Sequence, residues 1–143
     1  MSAKKNKEAV RRVIEEAFNK GNLAVVDAIM SAEYVYHSTL GDAKGPDGFK
    51  QTVKMFRVAF PDIISKIEDI VAEGDKVATR ATLSGTHTGE FMGIAPTGKN
   101  IKVAVSGLVR FAGDKEVEAW GNMDMLTFYQ QLGVTPPISP SSR

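Results

Sequence analysis

The chain contains no cysteine, which removes disulfides, thiolate nucleophiles and cysteine-based metal sites and leaves packing as the source of stability. Histidine is almost as scarce. His37 and His87 are the only two, and they lack the close His or carboxylate spacing on a helix that zinc sites favour, so no metal is expected. A charge excess is missing as well: 18 Lys and Arg face 17 Asp and Glu, a net charge of +1. That leaves no field to steer nucleic acid or an anionic membrane, and neither is an expected partner. No apolar run approaches membrane-spanning length, and the charged start Met-Ser-Ala-Lys-Lys-Asn-Lys-Glu is not followed by an apolar signal core. The expected location is therefore the cytoplasm. There is no Gly-x-Ser-x-Gly elbow for a nucleophilic serine. Gly93-Ile-Ala-Pro-Thr-Gly-Lys-Asn100 nearly spells a phosphate loop, but asparagine replaces the magnesium-binding Ser or Thr and a strand-like run follows, so no nucleotide cofactor is expected.

What is present fits one compact domain of 143 residues, with 43% apolar and 24% charged side chains, values usual for a globular protein. Val10, Val13, Ile14, Ala17 and Phe18 recur at helical spacing, and Gly21 suits a left-handed stop. Asn22 is placed to cap a short second helix carrying Val25, Val26, Ile29 and Met30. Tyr34-Val-Tyr-His37 reads as a strand ending at His37. A third helix starts near Pro46, bears Phe49, Val53, Phe56 and Phe60 on one stripe, and ends before Pro61. From Asp62 onward the pattern turns to β. Runs over 63–72, 76–86, 100–111 and 115–123 are separated by Gly74-Asp75, a Gly-rich stretch and Gly113-Asp114, so short turns imply antiparallel pairing. Helices followed by a meander predict an α+β domain over 1–134, with helices packed on a curved antiparallel sheet that encloses a cone-shaped pocket. The Pro/Ser-rich tail over 135–143 has nothing to bury.

Trp120, Asn122 and Asp124 fall at every second position, which puts an indole, an amide and a carboxylate on one face of an extended strand. An aromatic wall beside a carboxylate suits binding an apolar ring and moving protons on it. Asp124 also precedes Met125-Leu-Thr-Phe-Tyr-Gln-Gln-Leu132, where it serves as a helix cap. The two roles are compatible. Arg80 shares a strand face with Ala78, Thr82, Ser84 and Thr86, and that face either meets solvent or lines a cavity; an inward arginine needs an anionic partner. His37 and His87 each have a structural reading, as a surface or core histidine and as a loop-ordering side chain.

Taken together, Tyr34-Val-Tyr-His37, Ala59-Phe-Pro-Asp62, Ala72-Glu-Gly-Asp-Lys-Val-Ala-Thr-Arg80, Gly85-Thr-His-Thr-Gly-Glu-Phe-Met-Gly93, Pro96-Thr-Gly-Lys99, Glu118-Ala-Trp120, Asp124 and Gln130-Gln-Leu-Gly133 resemble the SnoaL-like polyketide cyclase family. That family lies within the cone-shaped α+β fold shared with nuclear transport factor 2 and ketosteroid isomerase. The resemblance implies an aldol-type ring closure on a hydrophobic carbonyl compound, without metal or cofactor, in which a pocket aspartate is the general acid and base. Asp124 matches that aspartate, and His37 becomes its expected partner. Trp120, Asn122, His87, Arg80, Phe56, Phe60 and Phe91 are the expected substrate contacts, and a homodimer formed through the outer sheet face is expected by analogy. Glu116 departs from the apolar residue usual after the hairpin turn and marks an altered strand end or pocket mouth. Two other readings of the fold remain: a non-catalytic ligand-binding or dimerisation domain, and an epoxide-hydrolase-like site, which would need an Asp–Arg–Asp cluster of which Arg80 and Asp124 supply only part.

Overall fold

In a computed structural model of the chain, which describes residues 2–136, helix α1 (Ala3–Arg12) continues without a break into a π-helical segment, Val13–Phe18. Ser2 caps α1 by accepting from the Lys5 amide, and Gly21 closes the helical region in the left-handed conformation at φ 76°. Helix α2 (Ala24–Ile29) follows. Its cap position is Leu23 rather than Asn22, and no side chain caps it; Asn22 contributes its carbonyl to the Val25 amide instead. Strands β1 (Met30–Ser38) and β2 (Gly41–Lys44) precede α3 (Gly45–Ala59), after which β3 (Ile64–Glu73), β4 (Lys76–Thr86), β5 (Asn100–Ala112) and β6 (Lys115–Met123) lead to α4 (Met125–Leu132). Most of the expected tail, from residue 137 on, lies outside the described residues.

The six strands form one sheet in the order β2-β1-β6-β5-β4-β3. The meander β3 to β6 is antiparallel, as the short Gly-Asp turns require, while β1 pairs with β6 in parallel. Strand β2 was not expected. Its Gly-Asp-Ala-Lys sequence has no β-branched or aromatic residue, and pairing with β1 alone defines it.

Alternation along the paired strands divides the sheet into two faces. Val77, Thr79, Ala81 and Leu83 of β4 stand opposite Val109, Gly107, Val105 and Val103 of β5, and Gly107 and Val109 in turn oppose Gly121 and Ala119 of β6. This is the concave face. The buried residues Val10, Val13, Val53 and Phe56 of the helical segments share the core with it, together with Phe128 and Leu132 of α4. The Val103, Val105 and Val109 row is thus covered by the chain's own helical layer. Arg80, Ser106, Leu108, Trp120 and Asn122 occupy the opposite, convex face.

One irregularity governs the site. Arg110 pairs with Glu118 but Phe111 pairs with Glu116, so Val117 is an extra residue in β6. Such a bulge reverses the facing of everything beyond it. Glu116 and Glu118, two apart in sequence, consequently lie on opposite sides of the sheet. Glu116 is 2% exposed.

Candidate functional site: an apolar cavity under the concave sheet

Between the helical layer and the concave face lies a cavity of about 170 Å³, many times the space one water needs. Its walls are mostly aliphatic and aromatic: Val13 and Ile14 from the π segment, Phe49 and Phe56 from α3, Leu83 and Val109 from the sheet. A few polar groups interrupt them, among them Tyr34, Tyr36, Ser38, Thr79 and Glu116. Two central positions of the sheet wall, Gly107 and Gly121, carry no side chain and let their neighbours approach closely. A Cβ at Gly121 would collide with the Tyr36 hydroxyl and ring, and one at Gly107 would meet Thr79 Oγ1 at 3.1 Å and the Trp120 carbonyl at 3.5 Å.

The expected site residues separate along this geometry. Phe56 lines the cavity. Trp120 and Asn122 border it too, but the β5–β6 register directs their side chains to the convex face. Trp120 reaches the wall through its backbone, its carbonyl lying 3.5 Å from where a Cβ on Gly107 would stand. The Trp120 indole stacks on the His37 ring, with centroids 5.7 Å apart and 28° between planes.

His37 does not line the cavity. It lies at the end of β1 with Nε2 2.9 Å from Glu118 Oε2 and Nδ1 3.1 Å from Asp42 Oδ1, and Glu118 also receives Arg110 at 3.0 Å. The hydrogen bond to Glu118, then that to Asp42, raises the His37 pKa above its ordinary value. Arg80 is exposed and paired with Asp69 at 2.7 Å, the solvent-facing alternative of its sequence reading.

Asp124 does not line the cavity either. It caps α4, with Oδ2 accepting from the Thr127 hydroxyl at 2.7 Å and Oδ1 accepting from the Thr127 amide at 3.1 Å. These hydrogen bonds, the hydroxyl's first, hold its pKa below the ordinary carboxylate value. A carboxylate so held is a poor proton acceptor.

His87, Phe60 and Phe91 belong to the core around α4 and line no part of the cavity. His87 is fully buried, stacks on Phe60 at 5.2 Å and orders its loop by accepting the Thr97 amide at Nδ1. Burial lowers its pKa, so it stays neutral.

The groups missed by sequence reasoning are Tyr34, Tyr36 and the inward orientation of Glu116. Both tyrosines were visible as alternate residues of β1, out of phase with His37; choosing the histidine chose the other face. Burial raises both phenol pKa values, that of Tyr34 well above normal with a further contribution from the Glu116 charge. They remain neutral hydrogen-bond donors. Glu116 is pushed up to about 8 by burial. Among the described residues no group of three His, Asp or Glu is arranged to hold a metal ion.

Comparison with known proteins agrees with this architecture. The SnoaL-like polyketide cyclase family profile matches residues 8–132. The chain is 32% identical over 139 residues to aklanonic acid methyl ester cyclase AcmA of Streptomyces galilaeus, covering 94% of this chain and 95% of that protein. The crystal structure of IdmH from Streptomyces antibioticus superposes with a TM-score of 0.79 at 33% identity, over 90% of this chain and 99% of that one. A Catenulispora acidiphila protein with a ketosteroid isomerase-like fold superposes with a TM-score of 0.77 at 16% identity, over 93% and 98% of the two chains, which shows the fold alone. With its curved sheet, helical layer and apolar cavity, and with these matches spanning nearly its whole length, the chain belongs to the SnoaL-like polyketide cyclase family.

Proposed function

We propose that this protein is a cofactor-independent, cyclase-type enzyme that closes a ring on a hydrophobic, multi-carbonyl compound by intramolecular aldol addition inside the cavity. The observation that carries this reading is the cavity itself: an apolar chamber with a few neutral hydrogen-bond donors, in a member of a family whose relative AcmA is named as a cyclase of aklanonic acid methyl ester.

In such a reaction a carbon between carbonyl groups gives up a proton and bonds to a second carbonyl carbon, whose oxygen then takes a proton. The carbanion is delocalised over its neighbouring carbonyls, so the protein's main tasks are to fold the chain into a reactive conformer and to stabilise negative charge on oxygen. Phe49 and Phe56 supply flat walls for an aromatic substrate, and the neutral Tyr34 and Tyr36 phenols are donors for an enolate or alkoxide oxygen. The proton-transfer role that the family resemblance gives Asp124 is tested by its substitution with asparagine, which keeps the cap and removes the acid.

The direct experiment incubates the protein with a panel of anthraquinones that carry a β-dicarbonyl side chain and, on the adjacent ring carbon, a second side chain with a ketone as the acceptor. The product is an isomer of the substrate and is resolved by chromatography and NMR rather than by mass. A protein-dependent, stereoselective ring closure is the expected result. Tight binding without closure of any substrate in the panel would overturn the enzymatic reading in favour of a ligand-binding domain.

A further inference from the structure

Glu116 is the anomaly of the cavity. Carboxylates are almost never fully buried unless paired, and most buried polar atoms find a hydrogen-bond partner. Glu116 Oε2 has none, one of three such side-chain atoms among the described residues, alongside Asn6 Oδ1 and His87 Nε2. Of these three residues only Glu116 lines the cavity.

Its surroundings are equally specific. The π segment and α1 contribute Val10, Val13 and Ile14, the facing part of α3 contributes Phe49, Thr52, Val53 and Phe56, and β4 and β5 contribute no charged side chain to the wall. Tyr34 and Tyr36 are the only other titratable groups lining the cavity among the described residues. Among the described residues no cation lines the cavity to hold Glu116 ionised. A structural role for this carboxyl would call for a partner, and the bulge at Val117, which turns the side chain inward, would otherwise bury it at a cost.

Resting on the cyclase reading above, we propose that Glu116 is the proton-exchanging group that meets the substrate in this cavity. In its ionised form the carboxylate takes the proton from the carbon between two carbonyls. The carbon–carbon bond then forms as the acceptor carbonyl's π bond opens to an alkoxide. The new carboxyl returns the proton to that oxygen, so one proton leaves carbon, one arrives on oxygen, and Glu116 ends as it began. Burial places its pKa at about 8, close enough to neutrality for both forms to be populated, the condition under which one group serves as acid and base. Tyr34, whose phenol feels the Glu116 charge, stays protonated beside it.

The test joins turnover to a binding measurement that does not depend on turnover. The probe is hydroxymethylanthraquinone, which does not ionise in the working range, and its binding is read from the fluorescence of Trp120, the single tryptophan. In the wild-type protein its carbonyl accepts from neutral Glu116, so affinity falls by about tenfold per pH unit above about pH 8. Glu116→Gln keeps a donor but cannot exchange a proton: the pH step disappears, and kcat for ring closure drops on the order of 10²–10⁴-fold with KM little changed. Glu116→Leu, which fills similar space, gives a second reading of the pH step if the glutamine variant folds poorly. Near-wild-type turnover in Glu116→Gln, a step that persists in both variants, or no step in the wild type would each overturn the assignment. If the wild-type protein closes no ring yet shows the step and the variants abolish it, the cyclase reading fails while the contact between Glu116 and the ligand stands.

Discussion

Strand β6 carries two different kinds of surface, and the contrast between them organises the molecule. On its concave side Ala119 and Gly121 are buried, nearly featureless positions that leave room for the Tyr36 ring and an open chamber, and Glu116 joins them past the bulge. On its convex side Glu118 and Trp120 are tied into a polar, partly exposed network with His37, Asp42 and Arg110. Of the side chains that look most like an active site in sequence, His37 and Trp120 are held in this outer network, and Asp124 is bonded to Thr127 at the start of α4. The groups left unsatisfied are inside. Unpaired polar groups in an apolar space are costly to maintain, whereas a surface cluster of ion pairs contributes little and persists easily.

The strongest way to break this comparison is to fill the cavity from the sheet. Gly121→Val would push into Tyr36, and overpacking of this kind costs about 1–3 kcal/mol of stability. Loss of anthraquinone binding should be of comparable size, roughly 10–200-fold, the range that one misplaced methylene commands in an apolar pocket. Asn122→Val, one residue along and on the other face, should leave binding unchanged. Equal losses in the two variants, measured by titration of Trp120 fluorescence, would mean that the two faces are not distinct in function.

The next effect concerns stability against pH. Glu116 has a folded-state pKa of about 8 against an ordinary value of 4.5. Between those values the unfolded chain releases this proton and the folded chain keeps it, so stability falls as pH rises, by about 1.4 kcal/mol per unit while the difference lasts. Below the ordinary value the penalty is absent, and above the folded value it has reached its full size. Glu116→Leu removes the titration, and its denaturant midpoint should exceed that of the wild type by a margin that widens from acidic to alkaline pH. A constant margin would show that burial does not perturb this carboxyl.

How far the sequence leads depends on what each inference rests on. Turn glycines and alternating β-branched residues mark β3 to β6 almost to the residue, because short hairpins and half-buried strands leave local signatures. Strand β2 leaves none. The cavity side of β6 was illegible for another reason: alternation groups Trp120 with Asn122 correctly, but it does not say which face points inward, and it fails outright between Glu116 and Glu118, where one extra residue inverts the pattern. A bulge is a property of pairing with β5, and pairing is not local. Glu116 was nevertheless visible as a charged residue in an apolar place, a local conflict of the kind that functional sites tolerate.

Asp124 sharpens the comparison at a finer scale, because the sequence resemblance makes it the expected acid/base group and the structure shows it as the cap of α4. Asp124→Asn preserves an acceptor for the Thr127 amide and removes the acid, while Asp124→Ala removes both. The alanine variant should melt a few degrees lower and the asparagine variant close to the wild type, with ring closure in both limited only by the folded fraction. A large loss of kcat in Asp124→Asn at unchanged melting temperature would move the proton transfer from Glu116 to α4, and would require the carboxylate to leave Thr127 during turnover.

The smallest effect is expected at His37, where the convex network predicts a pH signature without a catalytic one. Glu118 and Asp42 raise its folded-state pKa above the ordinary value. Its contribution to stability is therefore fully present below pH 6.5, the ordinary value, and is lost as pH rises through the folded pKa. His37→Ala should melt below the wild type in mildly acidic buffer and coincide with it in alkaline buffer; wild-type stability falls with rising pH as it does at Glu116, but here because a gain is lost rather than a penalty accrued. Its ring-closing rate per folded molecule should match the wild type at both extremes, because no atom of the outer network needs to reach the substrate. A rate loss beyond the change in folded fraction would connect the two faces through β6. The contact to examine would then be the His37–Trp120 stack, since Trp120 touches His37 with its ring and borders the cavity with its backbone.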